Sequence, residues 1–210
     1  MATFRNSIRS GSCRLAAWAL SVSVVVAAAA PALAQGIDAQ KAAKLKAAYL
    51  LNFVKYAQWP EECFDSPTSP IVITLAGQCD VTDVLAEVVS ATEPVGGRAV
   101  TLRRAAVPGD GASEEQWASV YESMKPAHLL YICGLPAPRV QAILRGVADG
   151  DVLTVSDIPM FAASGGMLGF VLRGNRIIFE ANLDAIQRSR IAVSAKVLQL
   201  AQIVGPRSSP

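Results

Sequence analysis

The sequence predicts a single α/β domain in which helices flank a mixed sheet of about six strands. Apolar, β-branched runs alternate with amphipathic segments over most of the chain, as in parallel strands joined by crossover helices. The last two runs are instead separated by only Gly174-Asn175, which suits a tight antiparallel turn. We therefore expect a largely parallel sheet that ends in a C-terminal antiparallel hairpin. The chain left after a predicted export signal has 176 residues (210 − 34), a length that fits one domain.

The first 34 residues have the features of an export signal. Three arginines without acidic residues form a basic start, residues 15–30 are apolar, and Ala32-Leu33-Ala34 is a small-residue cleavage site. The alternative is a membrane anchor, because the apolar stretch approaches the ~20 residues of a spanning helix. The cleavage site favours removal, so we expect a periplasmic domain over residues 35–205, a disordered tail over 206–210, and no insertion into the membrane after cleavage.

Removing the signal changes the charge balance of the protein. The whole chain has 19 basic and 17 acidic residues and a net charge of +2. The signal holds three of the basic residues, so the remainder has 16 basic and 17 acidic residues and a net charge of −1. A domain with this balance has no electrostatic footprint for nucleic acid or for anionic lipid.

Each predicted element has a sequence signal of its own. Apolar runs predict strands over residues 71–76, 99–104, 128–133, 151–156, 167–173 and 176–180. Helical spacing and caps predict helices over residues 41–56, 84–90, 113–124, 138–147 and 184–204. The helix over 113–124 opens on a Ser113–Gln116 capping box. The final long helix is inferred from a stripe of Val193, Val197, Leu200, Ala201 and Val204 before Gly205-Pro206.

Three cysteines remain after the signal, and their odd number allows at most one bridge within the chain. Cys79 follows the first strand and Cys133 ends the third, so both belong at the carboxyl edge of a parallel sheet. This placement favours a Cys79–Cys133 disulfide, with Cys63 as the free thiol or as an intermolecular partner. The alternative is that all three are small buried hydrophobic residues.

The chain shows no motif for catalysis, metal binding or cofactor binding. His128 is its one histidine, and Cys133, five residues on in the same strand, would face the other way. There is no Cys-x-x-Cys motif, no His-x-x-x-His motif, no clustered carboxylates and no phosphate-binding glycine loop. We therefore expect no catalytic residues, no metal and no cofactor. The missing Cys-x-x-Cys motif and the single histidine also argue against a third hypothesis for function, an envelope enzyme or thiol oxidoreductase.

Aromatic residues and Met167 surround a Gly165-Gly166 turn. Its simplest interpretation is a backbone bend, since glycine tolerates positive φ, and Phe161, Met167, Phe170 and Phe179 would then be core. The alternative is an apolar patch or shallow pocket near a sheet end, with Asp157 as its polar rim.

Dispersed motifs in this chain resemble the YfiR family of periplasmic regulators over about residues 44–203. They are Ala47-Ala48-Tyr49-Leu50-Leu51-Asn52-Phe53, Gln58-Trp59-Pro60, Gly77, Gly97-Arg98, Gly165-Gly166-Met167 and Phe179-x-x-Asn182-Leu183. The resemblance implies a periplasmic α/β regulator, often dimeric and without known catalysis. It also implies repression of a membrane-bound diguanylate cyclase through its periplasmic sensor region, and hence control of cyclic-di-GMP and biofilm, with sensitivity to redox state through disulfides.

Carried over to this chain, the resemblance places a partner or ligand surface on Asp157, Phe161, Gly165, Gly166 and Met167, with Phe170 beside them. The chain departs from many relatives at Ala127-His128, where they have a Cys-His pair. The second hypothesis for function is a small-ligand sensor that reports to another membrane receptor.

Overall fold

A computed structural model describes residues 38–109 and 111–205, so the predicted signal peptide and the predicted tail lie outside the described residues. The helices are α1 (Ala39–Tyr56), α2 (Val81–Ser90), α3 (Glu114–Met124), α4 (Ala137–Gly146), α5 (Leu183–Arg188) and α6 (Ala195–Leu198). The strands are β1 (Ala57–Gln58), β2 (Ile71–Ala76), β3 (Val100–Ala105), β4 (Leu129–Ile132), β5 (Leu153–Ser156), β6 (Leu168–Arg173), β7 (Arg176–Asn182), β8 (Ala192–Val193) and β9 (Gln202–Val204).

Seven of these strands form one mixed sheet in the order β3-β2-β4-β5-β6-β7-β9. The pairs are parallel except for the β6–β7 hairpin, which is antiparallel and turns at Gly174-Asn175. The predicted α/β class, the largely parallel sheet and the C-terminal hairpin are therefore confirmed. The remaining strands, β1 and β8, pair with each other in a separate two-stranded sheet.

Helices cover both faces of the sheet and divide the core in two. On one face, α1 and α2 pack on the sheet through buried residues such as Leu50, Phe53 and Leu85. On the other face, α3 and α4 pack through Trp117, Met124 and Ile143. The central strands β4 and β5 are buried along their whole length. β4 is accordingly a continuous apolar run, whereas β5 contains the buried polar residues Thr154 and Ser156, whose hydroxyls form hydrogen bonds.

Capping side chains fix the first turns of two helices, α1 and α3. Asp38 accepts a hydrogen bond from the Gln40 amide at the start of α1. At the start of α3, the Ser113 hydroxyl accepts from the Gln116 amide, and the Gln116 side chain accepts from the Ser113 amide. These bonds satisfy amides that have no partner inside the helix. The predicted capping box is present.

The prediction of one helix over residues 184–204 is wrong. The chain here forms α5, β8, α6 and β9, because Ser189 takes an extended conformation and Ser194 caps a new helix. β9 then joins β7 in parallel, with Ala181 opposite Ile203. Pairing with the open edge of β7 gives the backbone amides and carbonyls of this segment the hydrogen bonds that a helix would give them internally. The tertiary structure therefore decides whether the segment forms a strand or a helix. Leu200, predicted to be buried, is 74% exposed.

Candidate functional site

The carboxyl ends of β2 and β4 meet at the point where the strand order reverses, which is where open α/β sheets commonly bind ligands. A Cys79–Cys133 disulfide occupies this point, with the two Cα atoms 6.0 Å apart. This is the pairing that the predicted sheet favoured. A crevice of about 550 Å³ opens beside it, lined by the loops after β2, β3 and β4. The bond joins the β2 and β4 loops and so closes one side of that crevice.

Two glycines let these loops approach each other closely. Gly77 has a φ of +101°, and a Cβ built on it would lie 1.8 Å from the Cys133 carbonyl oxygen. Gly134 has a φ of +63°, and its Cβ would lie 2.6 Å from the Gln78 carbonyl oxygen. Any side chain at either position would force the two backbones apart, so both positions require glycine. Close backbone packing and the disulfide together make this edge of the sheet rigid.

Asp157, which follows β5 at the same edge, is held by a lysine from α1. Lys46 Nζ lies 2.5 Å from Asp157 Oδ2, and the two side chains are 21% and 24% exposed. Ser156 fixes the end of the strand, because its hydroxyl donates to the Ile132 carbonyl oxygen and accepts from the Ile158 amide. The ion pair is thus open to solvent on one side and anchored by buried hydrogen bonds on the other.

Tyr131 of β4 adds a buried phenol next to this ion pair. The residue is fully buried, and its hydroxyl has no hydrogen-bond partner among the described residues. Burial raises the pKa of Tyr131 well above its usual range, and the negative charge of Asp157 adds to the effect. The phenol is therefore protonated at physiological pH. Its hydroxyl lies near the Asp157 carboxylate but outside hydrogen-bond geometry, which is uncommon for a buried donor.

A small cavity of about 120 Å³ lies beside the ion pair. Its walls are Lys46 and Asp157 on the polar side and Phe170, Leu172 and Ile177 on the apolar side. Phe170 also packs against Tyr131, with ring centroids 6.3 Å apart. The name Lys46–Asp157 site is used below for Lys46, Asp157, Tyr131, Phe170 and this cavity.

The structure separates the other residues of the sequence-predicted surface. Phe161 is buried on the opposite face of the sheet, in the cluster with α3 and α4. Gly166 is buried against it, and a Cβ on Gly166 would lie 2.1 Å from the Phe161 ring. Met167 is buried on the α1 face, and its amide donates to Thr154 Oγ1. Gly165 is exposed and has a φ of +106°, as a backbone bend requires. Of the six residues, Asp157 and Phe170 share the cavity beside Lys46, while Gly165 and Met167 line a separate cavity of about 80 Å³ together with residues of α4 and α5.

The loop over residues 157–165 has one unusual feature at its tip. Met160 has a φ of 64°, a left-handed conformation that non-glycine residues adopt rarely, and its side chain is 43% exposed. An exposed apolar side chain in this conformation, three residues after Asp157 in the same loop, is a suitable contact point for a partner protein. The fold thereby provides an apolar tip and a charged base within one short loop.

A second polar cluster lies at the amino-terminal edge of the sheet. Cys63 Sγ is 3.5 Å from Asp151 Oδ2, and Arg190 donates to the same carboxylate from its amide and its guanidinium. Burial raises the pKa of the Cys63 thiol to about 11, and its hydrogen bond and proximity to Asp151 add to this. Burial alone would raise the pKa of Asp151, but the Arg190 hydrogen bonds outweigh it and lower the pKa. Cys63 has no disulfide partner among the described residues, and it is a weak nucleophile at neutral pH.

His128 lies in the same region, buried at the start of β4. Its Nδ1 accepts a hydrogen bond from the Val72 amide, and its ring stacks on Phe64 with centroids 4.5 Å apart. Burial lowers the pKa of His128, and the nearby Arg98 guanidinium lowers it further. The imidazole is therefore neutral at pH 7 and acts as a structural acceptor. The described residues contain no group of three or more metal-ligating side chains.

Two members of the Lys46–Asp157 site were missed by sequence reasoning. Lys46 is one of four lysines in the predicted helix over residues 41–56, with nothing to set it apart, and it contacts a residue 111 positions away. Tyr131 appeared as an ordinary core residue of a strand. Lys46 shares its helical face with Tyr49, Leu50 and Phe53, which was the available signal, but nothing local indicates its partner.

In the part of the chain that the structure describes, no helix has the length and hydropathy needed to cross a membrane.

These features define an α/β domain pinned by a disulfide, with its ionisable edge residues held in ion pairs and an accessible loop at the carboxyl edge of the sheet. A family model described as YfiR/HmsC-like matches residues 43–202. The protein belongs to this family. At the level of the family it is a periplasmic regulator of cyclic-di-GMP signalling that interacts with a membrane signalling protein, and the family is known for regulation rather than catalysis.

Proposed function

We propose that this protein is a non-enzymatic periplasmic repressor that binds the periplasmic sensor region of an inner-membrane diguanylate cyclase. Membership of the YfiR/HmsC-like family over residues 43–202 is the observation that carries the proposal. Repression would end when the protein leaves the cyclase, and cyclic-di-GMP synthesis and biofilm formation would then rise. Homodimer formation and redox control, both implied by the resemblance, remain predictions.

The docking surface in this proposal is the loop over residues 157–165. Met160 offers an exposed apolar contact, and the Lys46–Asp157 ion pair at the start of the loop is partly accessible to a charged side chain of the partner. Phe161, Gly166 and Met167 would act indirectly, because they are buried beneath the loop and determine its shape. Apolar anchors surrounded by polar groups are the usual pattern of protein interfaces.

The test compares two exposed apolar residues that lie in different parts of the fold. Met160→Asp introduces a charge into the proposed contact, whereas Leu200→Asp, the matched control, changes a residue outside the loop that is also exposed. The tagged chain from Gln35 onward is used to pull down partners from detergent-solubilised membranes, and cyclic-di-GMP is measured in a deletion strain that expresses each variant.

We expect the wild-type protein and Leu200→Asp to recover a diguanylate cyclase and to keep cyclic-di-GMP low. Met160→Asp should recover at least tenfold less cyclase, and it should no longer keep cyclic-di-GMP low. Copurification of no membrane protein, together with cyclic-di-GMP that does not change on deletion, would show that the proposal is wrong. Equal effects of the two variants would show that the loop is not the docking surface.

The second candidate function is a small-ligand sensor for another membrane receptor. The Tyr131 hydroxyl, buried without a partner beside the Lys46–Asp157 cavity, is the observation that favours it. A ligand that binds the folded state stabilises it by RT ln(1 + [L]/Kd), about 2.7 kcal/mol at a concentration of 100 Kd. A thermal-shift screen with a metabolite panel tests this function, with Tyr131→Phe as the variant that should abolish any stabilisation. A panel that produces no shift counts against the sensor.

A further inference from the structure

One edge of the main sheet lies open next to a groove. β3 is the terminal strand of the sheet, and none of the strands in the described residues pairs with its outer side. The Ile71 amide donates to the Ala99 carbonyl oxygen, so the backbone groups of Ala99 and every second residue after it point toward β2. The amides and carbonyls of Val100, Leu102 and Arg104 therefore point outward, away from the sheet.

A groove of about 560 Å³ runs between this open edge and α2. Val100 and Leu102 form its floor together with Val89 of α2, and Ala86 lies on its helical wall. Val100 and Leu102 are only partly buried by the rest of the domain, whereas Val89 is part of its core. A strand edge beside a helix, with an apolar floor between them, is the arrangement in which an extended peptide adds a strand to a sheet.

Arg104 is the one charged side chain among the residues that line the groove. Its side chain is 64% exposed, and it contacts the exposed Asp83 carboxylate at 3.2 Å. An exposed pair of this kind contributes little and exchanges readily with another acid. The groove is thus apolar along most of its length and holds an exposed, exchangeable ion pair where β3 ends.

A second copy of this chain fits the edge poorly. Neither antiparallel register of β3 with itself gives Arg104 an acidic partner: the register centred on Leu102 places it opposite Val100, and the register centred on Arg103 places it opposite Leu102 and sets the two Arg103 side chains opposite each other. Like charges on neighbouring strands destabilise the pairing. The same two arginines favour an acidic segment, so the charge of the edge selects a different chain.

We propose that the groove between β3 and α2 binds an extended segment of a partner protein, which adds to the sheet as an eighth strand beside β3. The segment has apolar side chains at alternate positions, which fill the groove over Val100 and Leu102, and an acidic side chain that pairs with Arg104. The six residues of β3 span about 20 Å, which matches a segment of five to six residues. This surface is independent of the loop over residues 157–165.

The first part of the test is a phage-displayed library of random eight-residue peptides, selected on the chain from Gln35 onward. Enriched peptides are synthesised with a fluorescent label, and their binding is measured by anisotropy. We expect an alternating apolar pattern with an acidic residue at one end. Failure to enrich any peptide would overturn the proposal.

The second part uses variants on the two faces of the same strand. Arg104→Glu lies in the groove and Arg103→Glu, the matched control, is an exposed residue on the opposite face of β3. Arg104→Glu should weaken peptide binding at least tenfold, and Arg103→Glu less than twofold. Ala86→Lys places a long side chain over the groove from an exposed helical position, so it should also weaken binding tenfold while the domain stays folded.

Three outcomes would contradict the proposal. If neither Arg104→Glu nor Ala86→Lys changes the affinity of the enriched peptides, the peptides bind outside the groove. Equal losses with Arg103→Glu and Arg104→Glu indicate attraction by general charge. A dimer in light scattering that Ala86→Lys converts to monomer would assign the groove to a second copy.

Discussion

Removal of the Cys79–Cys133 disulfide should lower the free energy of unfolding by about 4 kcal/mol. The bond joins residues with a sequence separation of 54, and in the chain-entropy model it restricts the unfolded chain by about that amount at 25 °C. The folded state should change little, because the Cys133 amide still donates to the Ala76 carbonyl oxygen at 2.9 Å and Gly77 still packs against the Cys133 carbonyl. The cost therefore arises mostly in the unfolded state.

The assay is urea unfolding of the double variant Cys79→Ala/Cys133→Ala, followed by circular dichroism. A domain of this size has an m value of about 2 kcal/mol/M, so the midpoint should fall by about 2 M. The midpoint of thermal unfolding should fall by about 10 °C, since each kcal/mol shifts it by roughly 2–4 °C at this length. Reductant should bring the wild-type protein close to the double variant.

Cys63→Ser is the matched control, because Cys63 forms no disulfide among the described residues and is only partly buried. It should change the free energy of unfolding by less than about 1 kcal/mol, as partly exposed substitutions usually do. The reasoning would be refuted if the double variant lost less than about 1 kcal/mol in free energy of unfolding. It would also be refuted if reductant destabilised the double variant as much as the wild-type protein.

Three further predictions concern single residues. Unfolded chains protonate His128 near pH 6.5 while burial and Arg98 lower its pKa in the folded state, so stability should fall as pH drops below 6.5, by at most about 1.4 kcal/mol per pH unit. Because the pKa of Cys63 is about 11, iodoacetamide should label it slowly at pH 8, and Asp151→Asn should speed the reaction. Gly166→Ala should destabilise the domain by about 2–3 kcal/mol, since the added Cβ would lie 2.1 Å from a buried aromatic ring.

Each of these has a control. His128→Gln removes the only histidine of the chain, so a slope between pH 6.5 and 5 that persists in this variant contradicts the first. Equal labelling rates for Asp151→Asn and the wild-type protein would show that the carboxylate does not suppress the thiol. Gly165→Ala meets no atom within 4 Å and pays only for its positive φ, about 1 kcal/mol. A larger loss there than at Gly166 would mean that packing is not the cause.

The disulfide shows where reasoning from the sequence reached the tertiary structure. Cys79 and Cys133 each end a run that reads as a parallel strand, and the carboxyl ends of parallel strands share one edge. The predicted parallel arrangement alone therefore placed both cysteines at the carboxyl edge of the sheet. The strand order, with β4 directly beside β2, supplied the remaining condition.

The Lys46–Asp157 site shows the opposite case. Asp157 stood out beside a glycine turn, but its lysine lies on α1 and its phenol on β4. Phe161 and Phe170 have similar sequence surroundings, yet they lie on opposite faces of the sheet. Side-chain alternation within a short, irregular segment does not determine which face each residue meets.

The C-terminal segment marks the boundary between local and tertiary control. Up to Ser156, strands and helices follow from periodicity and capping, because each depends on residues three or four positions away. From Ser189 onward the helical stripe is present in the sequence, but β7 offers an open edge and β1 a short partner, and the chain pairs with both. Periodicity is a property of neighbours along the chain, so it indicates the class of fold, while the dispersed motifs indicate the family. Pairing depends on distant backbone, so only the folded domain decides where β8, β9 and the Lys46–Asp157 ion pair form.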